Sequence, residues 1–504
     1  MTIRTVAVVG AGAMGRGIAQ VTALAGCRVL LVDARPGAAD EAAAAVRSTL
    51  ERLVQKGRLE AAAAGTAGAA LQVVPNEPAA LREADLVVEA VVEDLAVKSA
   101  LFAALEEQLA PSAVLATNTS SLSVTALAAG LARPERVCGL HFFNPVPLMR
   151  LVEVVPGERT DVAVVEQLTA LVRAVGHTPV VVRDTPGFLV NHAGRAYSTE
   201  ALRLLDEGVA EPADLDRVLR EAAGFRMGPF ELFDLTGLDV SQPVMETVYH
   251  GFYEEPRLRP SVTARRRLEG GRLGRKTGVG FYAYEDGGAV VPAEAPPPPY
   301  DGAPVWVHEG DPDASTLVAL LRNAGVQAAA GLAPPASGPV LVTPWGSDVT
   351  AAVVERELPP ERTLGVDPFG GFASRLTLAT SPATSTAAVQ GAHAALGATR
   401  RPVTVVRDSP GFVAQRVVAC VVNLACEIAQ LGLATPPDVD TAVRLALGYP
   451  QGPLSWGDAL GPARVLRVVQ GLQAATGDPR YRPSPWLRRR AALGRSLLAA
   501  DAAR

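Results

Sequence analysis

The chain has 504 residues, 47 basic against 52 acidic side chains and a formal net charge of −5. That length exceeds a single hydrophobic core and predicts three or four domains, and the absence of a basic excess excludes a nucleic-acid partner. No apolar run reaches membrane-spanning length, no basic and apolar leader precedes the first strand, and the four cysteines lack metal or disulfide spacing. The expectation is therefore a cytoplasmic protein with free thiols, no metal and no membrane partner.

In chain order, Arg4-Thr-Val-Ala-Val-Val9 reads as a short strand buried on both faces, followed by Gly10-Ala-Gly12-Ala13-Met14-Gly15, where the apolar period turns helical. Cys27–Asp33 is a second strand ending in an acid, and Ala-rich helical sequence runs on to about Gly65. Strands are predicted at Leu86–Val92, Ala113–Thr117, Arg136–Leu140 and Leu151–Val155, with helices between several of them. Alternation of this kind argues for an α/β Rossmann-type, doubly wound parallel sheet over residues 1–184. The glycine loop has the context that a bare motif lacks. Its first glycine permits a tight turn, its second lets backbone approach a pyrophosphate, and its third lets helix and strand pack closely. Asp33 stands where a carboxylate accepts from both ribose hydroxyls and repels a 2′-phosphate, which favours NAD over NADP, although Arg35 could accommodate a phosphate.

Residues 185–290 read as an all-α domain of the kind that closes over substrate or dimerises, and 291–303 as a Pro-rich linker. Residues 304–407 and 408–504 then repeat the first pair in degenerate form. Pro134-Glu-Arg-Val-Cys-Gly-Leu-His141-Phe-Phe returns as Pro360-Glu-Arg-Thr-Leu-Gly-Val-Asp367-Pro-Phe, an offset of 226. Val180-Val-Val-Arg-Asp184-Thr-Pro-Gly-Phe188 returns as Thr404-Val-Val-Arg-Asp408-Ser-Pro-Gly-Phe412, an offset of 224, and Gly224-Phe-Arg-Met-Gly-Pro229 returns as Gly448-Tyr-Pro-Gln-Gly-Pro453.

Oxidising an alcohol to a carbonyl as its hydride passes to a nicotinamide requires a base for the hydroxyl proton, placed where strands end and ligand crevices open. His141 follows the strand Arg136–Leu140, and Glu153 in the next strand can orient its imidazole and stabilise its protonated form. The other histidines, His177, His192, His250, His308 and His393, are read as structural.

Together with Leu86-Val-Val-Glu-Ala-Val-Val-Glu93-Asp-Leu-Ala-Val-Lys98, Thr117-Asn118-Thr-Ser120-Ser121-Leu, Gly139-Leu-His141-Phe-Phe-Asn144-Pro-Val-Pro, Asp184-Thr-Pro-Gly-Phe-Leu-Val-Asn191, Met227-Gly-Pro-Phe-Glu-Leu and Lys276-Thr-Gly-Val-Gly-Phe-Tyr282, these motifs make residues 3–284 resemble the 3-hydroxyacyl-CoA dehydrogenase family. The resemblance implies reversible NAD-dependent oxidation of an (S)-3-hydroxyacyl-CoA to the 3-oxoacyl-CoA, in fatty-acid, butyrate-type or phenylacetate catabolism. It implies His141 as general base paired with Glu153, Ser120 and Asn191 on the reacting oxygen, and Asn144 holding the pair and nearby substrate. It implies cofactor contacts from Gly10, Gly12, Ala13, Met14, Gly15, Asp33 and Asn118, with Glu93 and Lys98 beside the nicotinamide ribose. Lys56 is a candidate for the CoA nucleotide, and Arg195 or Arg226 for the tail of a dicarboxylyl substrate. The sequence departs from the family at His192, where arginine is usual.

The second copy keeps scaffold residues and loses these groups. His141 falls opposite Asp367, Ser120 opposite Gly346, Asn118 opposite Pro344, Glu153 near Thr377 and Asn191 opposite Gln415, and the glycine loop is reduced to Gly310. The expectation is one active unit per chain, present as a monomer with an internal pseudo-dimer or as a homodimer. A dehydrogenase of a non-CoA 3-hydroxy acid and a catalytically inactive NAD-binding protein remain the alternatives.

Overall fold

A computed structural model describes residues 3–501, which gather into two compact units. The first comprises residues 3–192 and Leu431–Leu447; the second comprises Ala193–Gln430 and residues 448–501.

The first unit is built on eight strands: β1 (Thr5–Val9), β2 (Arg28–Val32), β3 (Leu71–Val73), β4 (Leu86–Glu89), β5 (Val114–Thr117), β6 (Val137–Phe142), β7 (Leu151–Pro156) and β8 (Thr178–Val181). Their order is β3-β2-β1-β4-β5-β6-β7-β8, so the chain winds outward from β1 in one direction and then resumes on its other side at β4. A crevice opens at that switch point, beyond the carboxyl ends of β1 and β4. The central strands are Val- and Leu-rich because both faces are covered. Val6, Val8, Val29, Leu31, Leu86 and Val88 join the helix residues Ile18, Val46 and Leu50 in one core.

Two sequence expectations are corrected here. His141 lies within β6, not after it, and the sheet is not wholly parallel, because β7 runs antiparallel to β6 with His141 opposite Glu153. The physical reason is the short connection from Phe143 to Arg150, which suffices for a reversal and is too short for a helical crossover.

In the second unit the helices Arg195–Asp206, Pro212–Glu221, Pro229–Thr236, Leu238–Gly251 and Val262–Glu269 precede a hairpin of β9 (Ala283–Glu285) and β10 (Gly288–Val290). Asp286 and Gly287, both at positive φ, form the hairpin turn, Gly288 opens β10 opposite Glu285, and irregular chain begins at residue 291. A second sheet follows, made of β11 (Val305–His308), β12 (Ala328–Gly331), β13 (Val340–Val342), β14 (Thr363–Val366), β15 (Leu376–Thr380) and β16 (Val403–Arg407) in the order β12-β11-β13-β14-β15-β16. Here too one pair, β14 and β15, is antiparallel, and the amide of Asp367 reaches Thr377 O.

The helix Ala414–Gln430 is buried along most of its length and packs along Arg195–Asp206. Its one cation, Arg416, is fully buried and saturated by Glu200 at 2.5 Å, Glu207 at 2.6 Å and the Tyr481 hydroxyl at 2.8 Å. Among the described residues no helix is long and apolar enough to cross a membrane.

Candidate active site

The loop after β1 shows three different uses of glycine. Gly10 has φ of +103°, and a Cβ there would stand 2.5 Å from Ala90 O, so only glycine lets β1 and the end of β4 approach. A Cβ on Gly15 would lie 1.7 Å from Gly10 O, which seats the helix Ala13–Leu24 against the turn. Gly12 differs: nothing lies within 4 Å of its absent Cβ, and it brings no side-chain cap to the helix it opens. Bare backbone at a helix N-terminus, facing open space, is a cradle for phosphate oxygens. Asp33 at the end of β2 accepts the Ala11 amide at 2.6 Å and the Arg35 amide at 2.8 Å, which orients its carboxylate over the loop. The Arg35 guanidinium is paired with Glu41 at 2.7 Å, and that partner competes with any 2′-phosphate.

The register of β6 and β7 brings His141 Nδ1 to 2.6 Å from Glu153 Oε2, with the ring 6% exposed and the carboxylate wholly buried. The other oxygen, Oε1, accepts the amides of Leu189 at 3.0 Å and Val190 at 2.8 Å. Those amides belong to the loop that leads into Asn191, so the same loop anchors the carboxylate and delivers the asparagine. The loop is itself held at its start, where Asp184 accepts the Ser123 hydroxyl and the amides of Val124 and Thr125. The rings of Phe143 and Phe188 flank the imidazole at 4.4 and 5.8 Å.

A second buried cluster sits beyond β4. Lys98 is 1% exposed, with Nζ 2.6 Å from Glu89 Oε1 and 3.2 Å from Glu93 Oε2. Glu89 also accepts the Thr117 hydroxyl and the Val91 amide, both at 2.7 Å. Glu93 Oε1 accepts the Thr119 hydroxyl at 2.6 Å, the Ser120 amide at 3.0 Å and the Ser121 hydroxyl at 3.0 Å. Burial pushes the Glu93 carboxyl up, but the Thr119 hydrogen bond and the Lys98 charge outweigh it and hold the group below the ordinary range. The predicted pair Glu93–Lys98 is therefore in contact and tied to the Ser120 loop. Glu89 was not among the candidates. Its signal is a lone acid in a strand otherwise fit for burial on both faces.

Asn118 accepts the Phe142 amide at 2.8 Å and thereby joins β5 to β6. Asn144, in the turn after β6, lines a cavity of about 390 Å³ with Arg16, Gly17, Ser48, Thr49 and Arg52. Lys56 is exposed at the end of the helix Ala38–Gln55, and Arg226 is exposed in the second unit. Arg195 is half-buried in that unit; burial pushes its guanidinium down to about 10, against the effect of Tyr449. His177 bonds through both ring nitrogens to the carbonyls of Val146 and Val175.

In the second sheet Asp367 and Gly346 are engaged by neighbouring groups, beside a cavity of about 590 Å³ lined by Trp345, Gly346, Ser347, Arg467 and Gly471. Gln415 donates to Asp367 at 2.8 Å and to Pro344 O at 3.2 Å, and accepts the Gly346 amide at 3.1 Å. A Cβ on Gly346 would stand 2.7 Å from Arg467 O, because the helix Pro462–Thr476 lies directly on it. After β11, Asp311 is held by Arg356 at 2.7 Å, and His308 Nδ1 accepts the Gly310 amide.

Comparison with known proteins agrees with this geometry. The model of the 3-hydroxyacyl-CoA dehydrogenase NAD binding domain matches residues 5–185, and that of the 3-hydroxyacyl-CoA dehydrogenase C-terminal domain matches residues 187–284 and again 411–501. The chain is 40% identical to 3-hydroxyadipyl-CoA dehydrogenase of Escherichia coli K12 over 98% of each protein. It is 38% identical to mitochondrial hydroxyacyl-coenzyme A dehydrogenase of Sus scrofa over 56% of this chain and 92% of that protein. A crystal structure of 3-hydroxybutyryl-CoA dehydrogenase from Escherichia coli K12 superposes with a TM-score of 0.85 at 37% identity, covering 98% of this chain and 99% of that one.

Proposed function

The chain belongs to the 3-hydroxyacyl-CoA dehydrogenase family, and on that premise we propose how its residues divide the work and which acyl group it takes. The protein is an enzyme that oxidises 3-hydroxyacyl-CoA to 3-oxoacyl-CoA with NAD. The glycine loop fits the cofactor: Gly10 and Gly15 leave no room for side chains, whereas Gly12 opens toward ligand. Gly10, Gly12, Ala13, Met14 and Gly15 would hold the pyrophosphate, Asp33 the adenosine ribose, and Glu93 and Lys98 the nicotinamide ribose, with Asn118 close by. When bound, NAD supplies the hydride acceptor.

His141 carries the proton chemistry. Its Nδ1 is engaged by Glu153, which leaves Nε2 to take the C3 hydroxyl proton during oxidation and return it during reduction. Glu153, held by two amides and buried, stabilises the imidazolium that results. Ser120 and Asn191 hydrogen-bond the C3 oxygen in either oxidation state, and Asn144 helps hold the pair and nearby substrate. The observation that carries this reading is the 2.6 Å contact between His141 and Glu153. NADH formation from a 3-hydroxyacyl-CoA, abolished in His141→Gln, tests it; a variant equal to wild type would sink it. A faster reaction with the free 3-hydroxy acid than with its CoA ester would favour the non-CoA alternative.

For the acyl group we propose a dicarboxylyl, 3-hydroxyadipyl-type ester, as in phenylacetate catabolism. The support is the full-length relative of that name. A panel of CoA esters from C4 to long-chain, with the dicarboxylyl ester included, decides it through kcat/KM. We further propose that the second half is a degenerate repeat without chemistry, supported by Asp367 standing where the first copy has His141 and by its engagement with Gln415 at 2.8 Å. Calorimetric titration should count one NAD per chain, and two would overturn it.

A further inference from the structure

Two hydrogen bonds stand in the same relation to the repeat. The Arg183 amide, just beyond the edge strand β8, donates to Leu433 O at 2.9 Å in the first unit. The Arg407 amide, at the end of the edge strand β16, donates to Val209 O at 2.9 Å in the second unit. Arg407 is Arg183 moved on by 224 positions, and Leu433 is Val209 moved on by the same 224. The preceding glycines match as well: Gly208 has φ of +65° and Gly432 of +63°. Each has the partner arginine's guanidinium beside it, at 3.6 and 3.7 Å from where a Cβ would stand.

The helices that follow obey the same exchange. Pro436–Leu447, from the second repeat, packs on β7 and β8 in the first unit. Pro212–Glu221, from the first repeat, lies in the second unit, where Glu221 meets Arg375 at 3.1 Å and its carbonyl accepts the Ser374 hydroxyl at 2.6 Å. Another reciprocal pair joins Arg257 to Arg482 O at 2.9 Å and Arg480 to Arg259 O at 3.4 Å. Contacts that recur with their partners interchanged are the mark of an isologous, two-fold interface, here within one chain.

We infer that Leu431–Leu447 of the second repeat is a positioning element of the catalytic sheet, lent across in exchange for the equivalent arm of the first repeat. The inference rests on reading the second half as a degenerate repeat. β7 carries Glu153, and Arg183 begins the loop whose amides at Leu189 and Val190 hold that carboxylate. The clamp at Arg183 therefore fixes the start of the loop that orients the base. The repeat without chemistry contributes to catalysis by holding the edge of the sheet that has it.

Matched substitutions test this in the full-length chain. Valine at a left-handed glycine position is strained, and the two positions are equivalent. Gly432→Val, in the repeat without chemistry, should lower kcat on the order of ten- to a hundredfold, the effect of a slight misplacement of a catalytic group. Its KM for the acyl-CoA and its affinity for NAD should stay within about twofold of wild type, and its NAD-binding stoichiometry should equal that of wild type, which separates slower turnover from loss of folded enzyme. Gly432→Asn, which tolerates positive φ, should restore kcat. Gly208→Val, in the catalytic repeat itself, should leave kcat within about twofold of wild type, because its arm serves the other sheet. Wild-type activity in Gly432→Val, or an equal loss in Gly208→Val, overturns the inference. Where Gly432→Val fails to fold, amide exchange in the wild type decides. Arg183 N–H should exchange together with the helix Pro436–Leu447, and an unprotected Arg183 amide overturns the inference. The NAD count per chain reports separately on the degenerate-repeat reading.

Discussion

His141 and Glu153 face each other across the antiparallel pair β6 and β7, with Nδ1 and Oε2 2.6 Å apart and the carboxylate buried. Because Glu153 accepts two amides on its other oxygen, its position is set by backbone as well as by the imidazole. Replacing it with glutamine keeps the shape and removes the charge that stabilises imidazolium. Glu153→Gln should lose on the order of 10²–10⁴ in kcat with little change in NAD affinity, by steady-state kinetics and NADH fluorescence titration.

Glu89 should matter although it reaches no ligand in this reading. Glu89→Ala leaves Lys98, 1% exposed, with Glu93 as its remaining carboxylate and frees the Thr117 hydroxyl. Loss of one partner of a buried charge costs about 3 kcal/mol. Denaturant titration should show that loss, and NADH titration should show weaker binding as Lys98 and Glu93 shift. Unchanged affinity together with unchanged stability would remove Glu89 from the site.

The glycines of the loop should separate folding from binding. Gly12→Ala adds a methyl where nothing lies within 4 Å, so the melting temperature should hold while NAD affinity falls. In Gly15→Ala the added carbon would stand 1.7 Å from Gly10 O, so the fold itself should give way. Differential scanning calorimetry on both variants, with and without NAD, reads the distinction.

The second unit should carry a pH dependence of its own. Burial pushes the Asp216 carboxyl up to about 7, against hydrogen bonds from the Phe230 amide, the Tyr282 hydroxyl and the Glu231 amide. Burial likewise pushes Asp367 up to about 6, against the hydrogen bond from Gln415. A carboxyl raised above its unfolded value of about 3.9 binds its proton more tightly in the folded state. Stability from these groups is therefore full below pH 4, falls as pH rises toward 7, and is level above. Urea melts from pH 5 to 8 should show the fall, and Asp216→Asn should flatten its upper part.

Much of the site was legible because the chemistry is written locally. The turn after β1 needs glycines at Gly10 and Gly15 for steric reasons that involve only the next strand and helix, and Asp33 closes the neighbouring strand in the same short stretch. His141 and Glu153 are near enough in sequence for their pairing to be anticipated. The sheet direction was not, since a parallel pattern predicts a crossover, and the chain instead reverses between Phe143 and Arg150.

By itself, then, the amino-acid order determined the family, the glycine loop after β1 and the nearness of His141 to Glu153, and it supplied the alignment on which the second half is proposed to be a degenerate repeat. Each rests on residue identity at positions that a strand, a turn or an alignment of the two copies makes equivalent. Only the tertiary structure decided that Glu89 shares Lys98 with Glu93, that Arg416 is saturated by Glu200, Glu207 and Tyr481, and that Leu431–Leu447 lies on the first sheet. Those facts depend on which distant segments share a buried space. A strand buried on both faces hides the role of its one acid, and two arms that share their Gly, Pro and Asp positions offer no local reason to prefer their own sheet over the other.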